Sequence, residues 1–453
     1  MAEEEGTFVG GGRLRVDRKA ALAKLAAFQL GERDLFVPWV RCAELSGAKR
    51  LDVSVTGRSL RVEFDGAGFT ADELADPFQA LFDDSDAPRR LGQLAAALLG
   101  VSRLPVKTLR LCSGDGKRGA VFAGKDLEAL TPLPELWTPA ATALSVELKA
   151  GAVVDVERAA LALEGRLVLG KTAVSVNGKV LEAERVRGGL YELGGLRALL
   201  LAAEDPFREM SRLRLVVDGV AAQTIELATP WGPVDAVLTG PDLPLDASLS
   251  RVVEGKALAP ALEALHAKMR DFAGSMAKVQ AREATQTRRL LLDSSLRGVW
   301  GGEARPASRK GPLEAFLDRL GLGRGVGLAR DESILEEAVL RTRWLRAACK
   351  GRLVDYEKED DDPVRKALWN VPLFLTAAGG WFSRRGLKEC ISQCGTVYLS
   401  KNQGGVFTAY LHQTAAGRKS AMLRGDQVVW APAPRDLDDL VALMGEPYVT
   451  PLD

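Results

Sequence analysis

The sequence predicts an α+β protein of several domains, and two observations lead to that fold class. Segments with the alternating apolar and polar residues of strands are separated, throughout the chain, by segments with helical spacing of apolar residues. The chain has 453 residues, a length typical of about three domains. Hydrophobic residues make up 47% of it and charged residues 27%, which excludes a wholly disordered chain.

Residues 1–150 are predicted to form the first domain, with helices and strands interleaved. Apolar residues recur at helical spacing in two early segments, and glycines that suit helix ends, Gly31 and Gly47, follow them. Alternating residues then predict a pair of strands joined by a tight turn at Gly57. The predicted helices are 13–30, 35–46, 72–82 and 90–99, and the predicted strands are 51–55, 60–64, 106–112, 120–123 and 143–148.

Residues 151–275 are predicted to form an α+β middle domain. The turn signals Asn177-Gly178 and Asp218-Gly219 bound its strands. The apolar runs 94–101 and 196–203 are shorter than the roughly 20 residues of a membrane span, so both are predicted to be buried helix segments and no membrane association is expected. The predicted helices are 156–163 and 257–279, and the predicted strands are 173–177, 213–217, 223–227 and 234–238.

Residues 276–312 are predicted to be a basic helical linker, and residues 313–453 a small α/β C-terminal domain. The linker holds eight lysines and arginines against three acidic residues, which indicates a solvated helix face. A contact strip for an acidic partner or nucleic acid is the alternative interpretation. In the C-terminal domain the predicted helices are 313–320, 333–349 and 436–443, and the predicted strands are 371–375, 396–399, 406–410 and 427–430.

The charged and sulfur-bearing residues exclude several functional classes. Lys and Arg number 61 against 60 Asp and Glu, so the chain is no bulk polyanion binder and nucleic acid is not an expected partner. The two histidines, His266 and His412, lie far apart in sequence, which argues against zinc sites and histidine relays. Five irregularly spaced cysteines after an acidic N-terminus predict free thiols and a cytoplasmic location, with no metal bound. Abundant alanine, leucine, arginine and glycine suggest a bacterial source.

The order of elements in residues 13–150 is distinctive. A helix ends at Ser46-Gly47-Ala48, a strand pair leads into the loop Asp65-Gly66-Ala67-Gly68, a glycine-containing helix follows, and Ala141-Thr142 precedes the last strand. This order resembles the GHKL ATPases, whose Bergerat nucleotide-binding fold is shared by DNA gyrase, the ninety-kilodalton heat-shock chaperones, histidine kinases and mismatch-repair ATPases. The chaperone-like branch is the most similar. The resemblance implies an N-terminal Bergerat-type α/β sandwich, and it extends to the middle domain through Asn177-Gly178.

The family's first motif places a glutamate general base and, one helical turn later, a magnesium-binding asparagine on the second helix. Counted from Ser46-Gly47-Ala48, these positions hold Pro38 and Cys42. Proline has no side-chain acceptor, and a neutral thiol is a poor magnesium ligand. Glu44, the nearest carboxylate, lies about 200° round the helix from Cys42 and faces away. We therefore expect no catalytic residue.

The family's second motif is Asp-x-Gly-x-Gly, whose aspartate hydrogen-bonds the adenine amino group. In this sequence Phe64 takes the aspartate position and Asp65 is shifted by one residue. Side chains alternate along an extended segment, so the shift turns Asp65 to the other side, although a register slip would restore it as the adenine-binding residue. Gly66 and Gly68 remain and suit a tight turn.

The remaining two motifs are also incomplete. Of the family's glycine-rich phosphate lid, Gly92 is retained before a run of leucines and alanines, which favours a continuous helix. Thr142 matches the threonine before the last strand, and an ordinary strand-entry threonine is the competing interpretation. The vestigial nucleotide pocket that the resemblance implies consists of Asp65, Gly66, Gly68, Gly92 and Thr142. We expect the apolar side chains of Cys42, Phe64 and Phe69 to fill it.

These losses predict a pseudo-ATPase, a noncatalytic chaperone-like or scaffolding protein that acts through protein–protein contacts. Hydrolysis needs a positioned water and neutralised phosphate charge, and the residues for both are missing. We expect no cofactor and a protein partner or client, and the sequence leaves a homodimer open. One alternative is an ATP-binding, chaperone-type ATPase with shifted ligands for ATP and magnesium. Another is a nucleic-acid-associated module that uses the basic segment 276–312.

Overall fold

A computed structural model describes residues 18–28, 32–82, 89–125, 130–152, 154–184, 189–203, 205–229, 231–241, 243–246, 248–253, 258–292, 324–350, 362–414 and 417–452. The chain is of mixed α+β type, as the sequence predicts. It divides into two compact units, each drawn from several segments. Unit 1 consists of Met1–Val186, Leu215–Gln223 and Thr239–Gly255, and unit 2 of Arg187–Arg214, Thr224–Leu238 and Lys256–Asp453.

Most of the predicted elements of unit 1 are confirmed to within a few residues, and the ends of the predicted helix 13–30, residues 13–17, 29 and 30, lie outside the described residues. The exception is 72–82, where the helix stops before Pro77 and a 3-10 turn, Gln79–Leu81, follows, because proline cannot continue the helical hydrogen bonds. The helices are α1 (Arg18–Phe28), α2 (Val37–Leu45), α3 (Ala71–Ala75), α4 (Arg89–Ser102) and α5 (Val156–Glu164). The strands are β1 (Arg50–Thr56), β2 (Ser59–Asp65), β3 (Val106–Asp115), β4 (Gly119–Gly124), β5 (Thr131–Leu133), β6 (Ala140–Leu148), β7 (Ala173–Val176) and β8 (Lys179–Val180).

These strands of unit 1 form one sheet in the order β5-β4-β3-β6-β2-β1-β7-β8. Neighbouring strands are antiparallel except β1 and β7, which run parallel. The register places Leu51, Phe64, Thr142 and Ser113 opposite one another across β1, β2, β6 and β3. Residues that lie directly opposite share a face of the sheet, so these side chains form one row.

One face of this sheet is apolar and the other is polar. On β2 the residues Leu60, Val62 and Phe64 are buried, whereas Ser59 and Arg61 are exposed. Helices α2 and α4 pack against each other, and their apolar residues join those of the strands in a single core. Unit 1 is thus a two-layer α/β sandwich, in agreement with the predicted fold class.

Unit 2 holds most residues of a second sheet. Its strands are β9 (Gly189–Leu193), β10 (Leu196–Ala202), β11 (Ser211–Val217), β12 (Val220–Leu227) and β13 (Val234–Thr239), in the order β12-β11-β13-β10-β9. The helices are α6 (Leu258–Leu292), α7 (Arg324–Ala348), α8 (Pro363–Asn370), α9 (Arg384–Cys394) and α10 (Pro434–Met444).

The C-terminal part of unit 2 contains three small sheets. Its strands are β14 (Phe374–Leu375), β15 (Trp381–Phe382), β16 (Val397–Ser400), β17 (Val406–Thr414), β18 (Gly417–Arg424), β19 (Val428–Trp430) and β20 (Val449–Pro451). Strand β16 lies between β19 and β20 and runs parallel to both. A parallel sheet with neighbouring helices is the arrangement expected of a small α/β domain.

The apolar run 196–203 is a strand, and the prediction of a buried helix there is wrong. The run forms β10, which pairs with β9 in an antiparallel hairpin. The connecting residues Gly194 and Gly195 both have positive φ, a conformation that glycine adopts without strain. Leucine and alanine favour helices, but the hairpin pairs the run with β9 and places its residues in the pleat of a sheet. Tertiary pairing therefore overrides local propensity here.

The predicted domain boundaries fall inside the two units. The boundary between 150 and 151 lies within unit 1, and the boundary between 275 and 276 lies within α6, which continues to Leu292. The rest of the predicted linker, 293–312, and the predicted helix 313–320 lie outside the described residues. Among the described helices, none combines the length and apolar character that crossing a membrane requires.

Candidate functional site

The residues of the expected vestigial pocket lie mainly around the C-terminal end of α2. Asp65 ends β2, Gly66 and Gly68 lie in the loop that follows, and Thr142 lies in β6. The backbone amide of Ala67 donates to the carbonyl of Ser46 at 2.8 Å, which holds this loop against the end of α2.

The two positions expected for the base and the metal ligand are closed off in α2. Pro38 and Cys42 are both buried, and the Cys42 thiol donates to the carbonyl oxygen of Arg90 at 3.6 Å. Burial raises the pKa of the Cys42 thiol well above its ordinary value. The thiol is therefore protonated at neutral pH, and a protonated thiol does not bind magnesium.

Asp65 supports the backbone of the neighbouring loop. Its Oδ1 accepts hydrogen bonds from the amides of Lys49 at 2.6 Å and Arg50 at 2.9 Å. Gly66 beside it has φ of +115°, and a Cβ at that position would lie 2.6 Å from the carbonyl oxygen of Ser46. The glycine is thus required by the close approach of the loop to α2, whether or not a ligand is bound.

Thr142 bonds to protein atoms in the interior. Its hydroxyl lies 2.8 Å from the hydroxyl of Ser113, and Ser113 accepts a hydrogen bond from the Phe69 amide at 2.7 Å. Ser113 and Thr142 are 0% and 1% exposed, and the Phe64 ring beside them in the row is also buried. The side chain that would meet an adenine is therefore engaged within the sandwich.

Arg90, near the start of α4, contacts the loop that follows β2. Its guanidinium donates to the carbonyl oxygens of Ala67 and Gly68 at 3.3 and 3.1 Å, and it lies 4.7 Å from the centre of the Phe69 ring. It also forms an ion pair with Glu73 at 3.4 Å. These contacts tie the loop after β2 to the start of α4.

Gly92 is a helical residue. Helix α4 is continuous from Arg89 to Ser102, as predicted, and a Cβ at Gly92 would have no atom within 4 Å. The first turn of α4 therefore has helical backbone in place of an open phosphate loop. The structure brings Asp65, Gly66, Gly68 and Thr142 together around the loop, whereas Gly92 takes no part in the contacts described above.

The buried residues at this position are named here the cleft cluster: Cys42, Phe64, Phe69, Ser113 and Thr142. Their polar atoms bond to one another or to nearby backbone, which leaves little for a ligand to bind. Within the described ranges, no group of three or more His, Cys, Asp or Glu side chains is placed to hold a metal ion.

Sequence reasoning missed a second cluster of charged residues on another side of α2. Arg41 is completely buried although it is charged, and it lies near Arg89, Arg166, Asp34 and Asp218. A single arginine in the otherwise apolar run of α2 is the sequence signal that could have identified it, because charged residues are rarely buried without a partner.

Comparisons with known proteins add a distant structural similarity. No protein-family model matches the chain, and no curated protein matches it by sequence. Among solved structures, the chain is similar to the B subunit of DNA gyrase from Myxococcus xanthus, at 13% sequence identity and a TM-score of 0.38. The similarity covers 53% of this chain and 89% of that chain.

Proposed function

We propose that this protein is a noncatalytic protein of the GHKL type, a pseudo-ATPase that works in the cytoplasm as a chaperone-like or scaffolding protein. The observation that carries the proposal is the cleft cluster, in which Cys42, Phe64 and Thr142 stand at positions of the nucleotide motifs and Phe69 and Ser113 pack or bond beside them. A packed and internally hydrogen-bonded interior has no room for a purine without rearrangement. Function would then come from contacts with protein partners or clients.

The chemistry of the two α2 positions also supports a noncatalytic role. ATP hydrolysis requires a group that positions the attacking water and a cation that offsets charge on the phosphates. Pro38 offers no acceptor, and the Cys42 thiol is buried, protonated and bonded to a carbonyl. Loss of preorganised groups of this kind costs several kcal/mol of transition-state stabilisation.

The contacts of Asp65 make shifted nucleotide ligands the less favoured alternative. An adenine-binding aspartate needs a free carboxylate oxygen aimed into the site. One oxygen of Asp65 already accepts two backbone hydrogen bonds, and the adjacent Gly66 packs against the backbone of Ser46. Turning the Asp65 carboxylate towards a ligand would break its two hydrogen bonds to the Lys49 and Arg50 amides.

Titration calorimetry of ATP into the purified full-length protein, with and without magnesium, tests this proposal. We expect no saturable heat and no ATP hydrolysis above background in either buffer. Saturable, magnesium-dependent binding would contradict the proposal if Asp65→Ala abolished it while Asp52→Ala, an exposed carboxylate on β1, retained it.

The partner-directed role has its own measurement. A chaperone-like protein should suppress light scattering from a thermally unfolded model enzyme at near-stoichiometric amounts, and ATP should not change that suppression. If the scattering curve of the model enzyme is the same with and without this protein, the chaperone-like role is excluded and the scaffolding role remains.

A further inference from the structure

Arg41 is a buried cation with an unused hydrogen-bonding edge. Its side chain is 0% exposed, and its Nη1 donates to the carbonyl oxygen of Leu249 at 2.8 Å. Within the part of the chain that the structure describes, its Nε and Nη2 atoms are buried and have no hydrogen-bond partner. These two atoms carry the parallel N–H groups of the side-on edge, which matches two oxygens of a carboxylate or phosphate.

The carboxylates nearby already have arginine partners. Asp218 forms an ion pair with Arg89 at 3.0 Å, and Asp34 forms one with Arg166. Arg41 forms no ion pair with a carboxylate in the described ranges, although Asp218 and Asp34 lie near enough to favour its charged form. Burial first, and then repulsion from Arg166, lower the pKa of Arg41 to about 10, which still leaves it charged at neutral pH.

Glu44, the other charged residue in this part of α2, forms no hydrogen bond with Arg41 in the described residues. The Oε1 atom of Glu44 accepts a hydrogen bond from the amide of Thr172 at 2.7 Å. Its side chain also lies against the backbone of Gly170 and Gly219, where a Cβ would come within 3.3 Å of it. Glu44 therefore holds the adjacent turns and does not serve as a counter-ion for the free edge.

A buried, unpaired guanidinium is costly unless something accepts its protons. A charge removed from water without a partner destabilises a fold by several kcal/mol.

We propose that the free edge of Arg41 binds one small oxyanion, a phosphate or carboxylate group, which enters between α2 and the segments that carry Asp218 and Leu249. Because Arg41 is fully buried, the anion reaches it only when these segments separate, and it is either small or the end of a larger ligand. The site is distinct from the cleft cluster, since Arg41 and Cys42 point about 100° apart around α2. The inference does not depend on the proposed function.

Thermal unfolding of the full-length protein with inorganic phosphate, with formate and with chloride at equal ionic strength tests the proposal. Ligand that binds the native state raises the unfolding midpoint with concentration. We expect phosphate or formate to raise the midpoint of the wild type above that in chloride, and whichever is the stronger identifies the preferred oxyanion. Arg61→Met, on the exposed face of β2, should respond as the wild type does.

Two variants of Arg41 separate oxyanion binding from a general salt effect. Arg41→Met removes the charge at similar volume, so its response to oxyanions should disappear whatever its midpoint in chloride. Arg41→Lys keeps a charge but lacks the side-on edge, and calorimetry should show binding weaker by about tenfold or more.

Two results would overturn the proposal. One is an equal response of the wild type and Arg41→Met, which would be a salt effect. The other is no response of the wild type to either oxyanion, which would mean that water alone hydrates the edge. If Arg41→Met does not fold, the test compares the wild type with Arg41→Lys. The proposal is wrong if the two proteins bind phosphate equally well and also bind formate equally well.

Discussion

Single residues decide whether the cleft cluster is closed. Ser113 is at its centre, because its hydroxyl accepts from the Phe69 amide and pairs with the Thr142 hydroxyl. All of these groups are buried, so water cannot replace a missing partner. Hydrogen bonding therefore explains why a serine stands at residue 113, because apolar packing alone would not favour a hydroxyl there.

Replacing Ser113 with alanine should destabilise the protein by about 1–3 kcal/mol, because two buried polar groups lose their partner. Urea unfolding monitored by circular dichroism measures the change as a lower midpoint. Ser54→Ala, an exposed serine on β1, is the matched control and should change stability by less than about 0.5 kcal/mol. Equal midpoints for the two variants would show that the Ser113 hydroxyl makes no net contribution.

At the scale of elements, α4 and the loop after β2 use glycine for different reasons. Gly92 lies in a continuous helix and faces open space, whereas Gly66 has positive φ and touches the backbone of Ser46. Glycine weakens a helix interior relative to alanine, but at a positive φ it avoids strain. The two positions therefore respond in opposite directions to the same substitution.

Gly92→Ala should raise stability by about 0.5–1 kcal/mol, and Gly66→Ala should lower it by more than about 1 kcal/mol. Thermal unfolding of the two variants and the wild type measures this: the midpoint of Gly92→Ala should be higher than that of the wild type, and the midpoint of Gly66→Ala lower. A loss of stability in Gly92→Ala would contradict a continuous helix and favour an open glycine loop at the start of α4.

At the scale of the whole molecule, the core of unit 1 draws on residues far beyond the predicted first domain. Leu163, Val174 and Val220 are buried in the same core as the cleft cluster, and β7 extends the sheet beside β1. A chain cut after residue 150 lacks all of these contacts. Its β1 edge and part of its apolar surface would face water.

A fragment of residues 1–150 should therefore fail to reach a native-like state. We expect weak near-ultraviolet circular dichroism and broad amide resonances, because Trp39 would no longer sit in a complete core. The full-length chain is the reference. A fragment with sharp, dispersed resonances would show that residues 1–150 fold alone, as the domain prediction implies.

Several features of the site followed from local sequence. The helical spacing in 35–46 and 90–99 predicted α2 and α4, and the alternation in 60–64 predicted β2 with Phe64 on its apolar face. The substitution of Pro38 and Cys42 for polar motif residues predicted the loss of a base and a metal ligand. These inferences depend on neighbours within a turn or a strand, where side-chain periodicity is set by the backbone.

The sequence by itself determined the α+β class, the elements around α2 and the apolar side chains of Cys42 and Phe64. The tertiary structure decided that 196–203 pairs as a strand, that Thr142 bonds to Ser113, and that Arg41 is buried with one edge unused. Arg41 meets the carbonyl of Leu249 across 208 positions of sequence. No periodicity encodes such contacts, because burial and hydrogen bonding between distant segments arise when the whole chain packs.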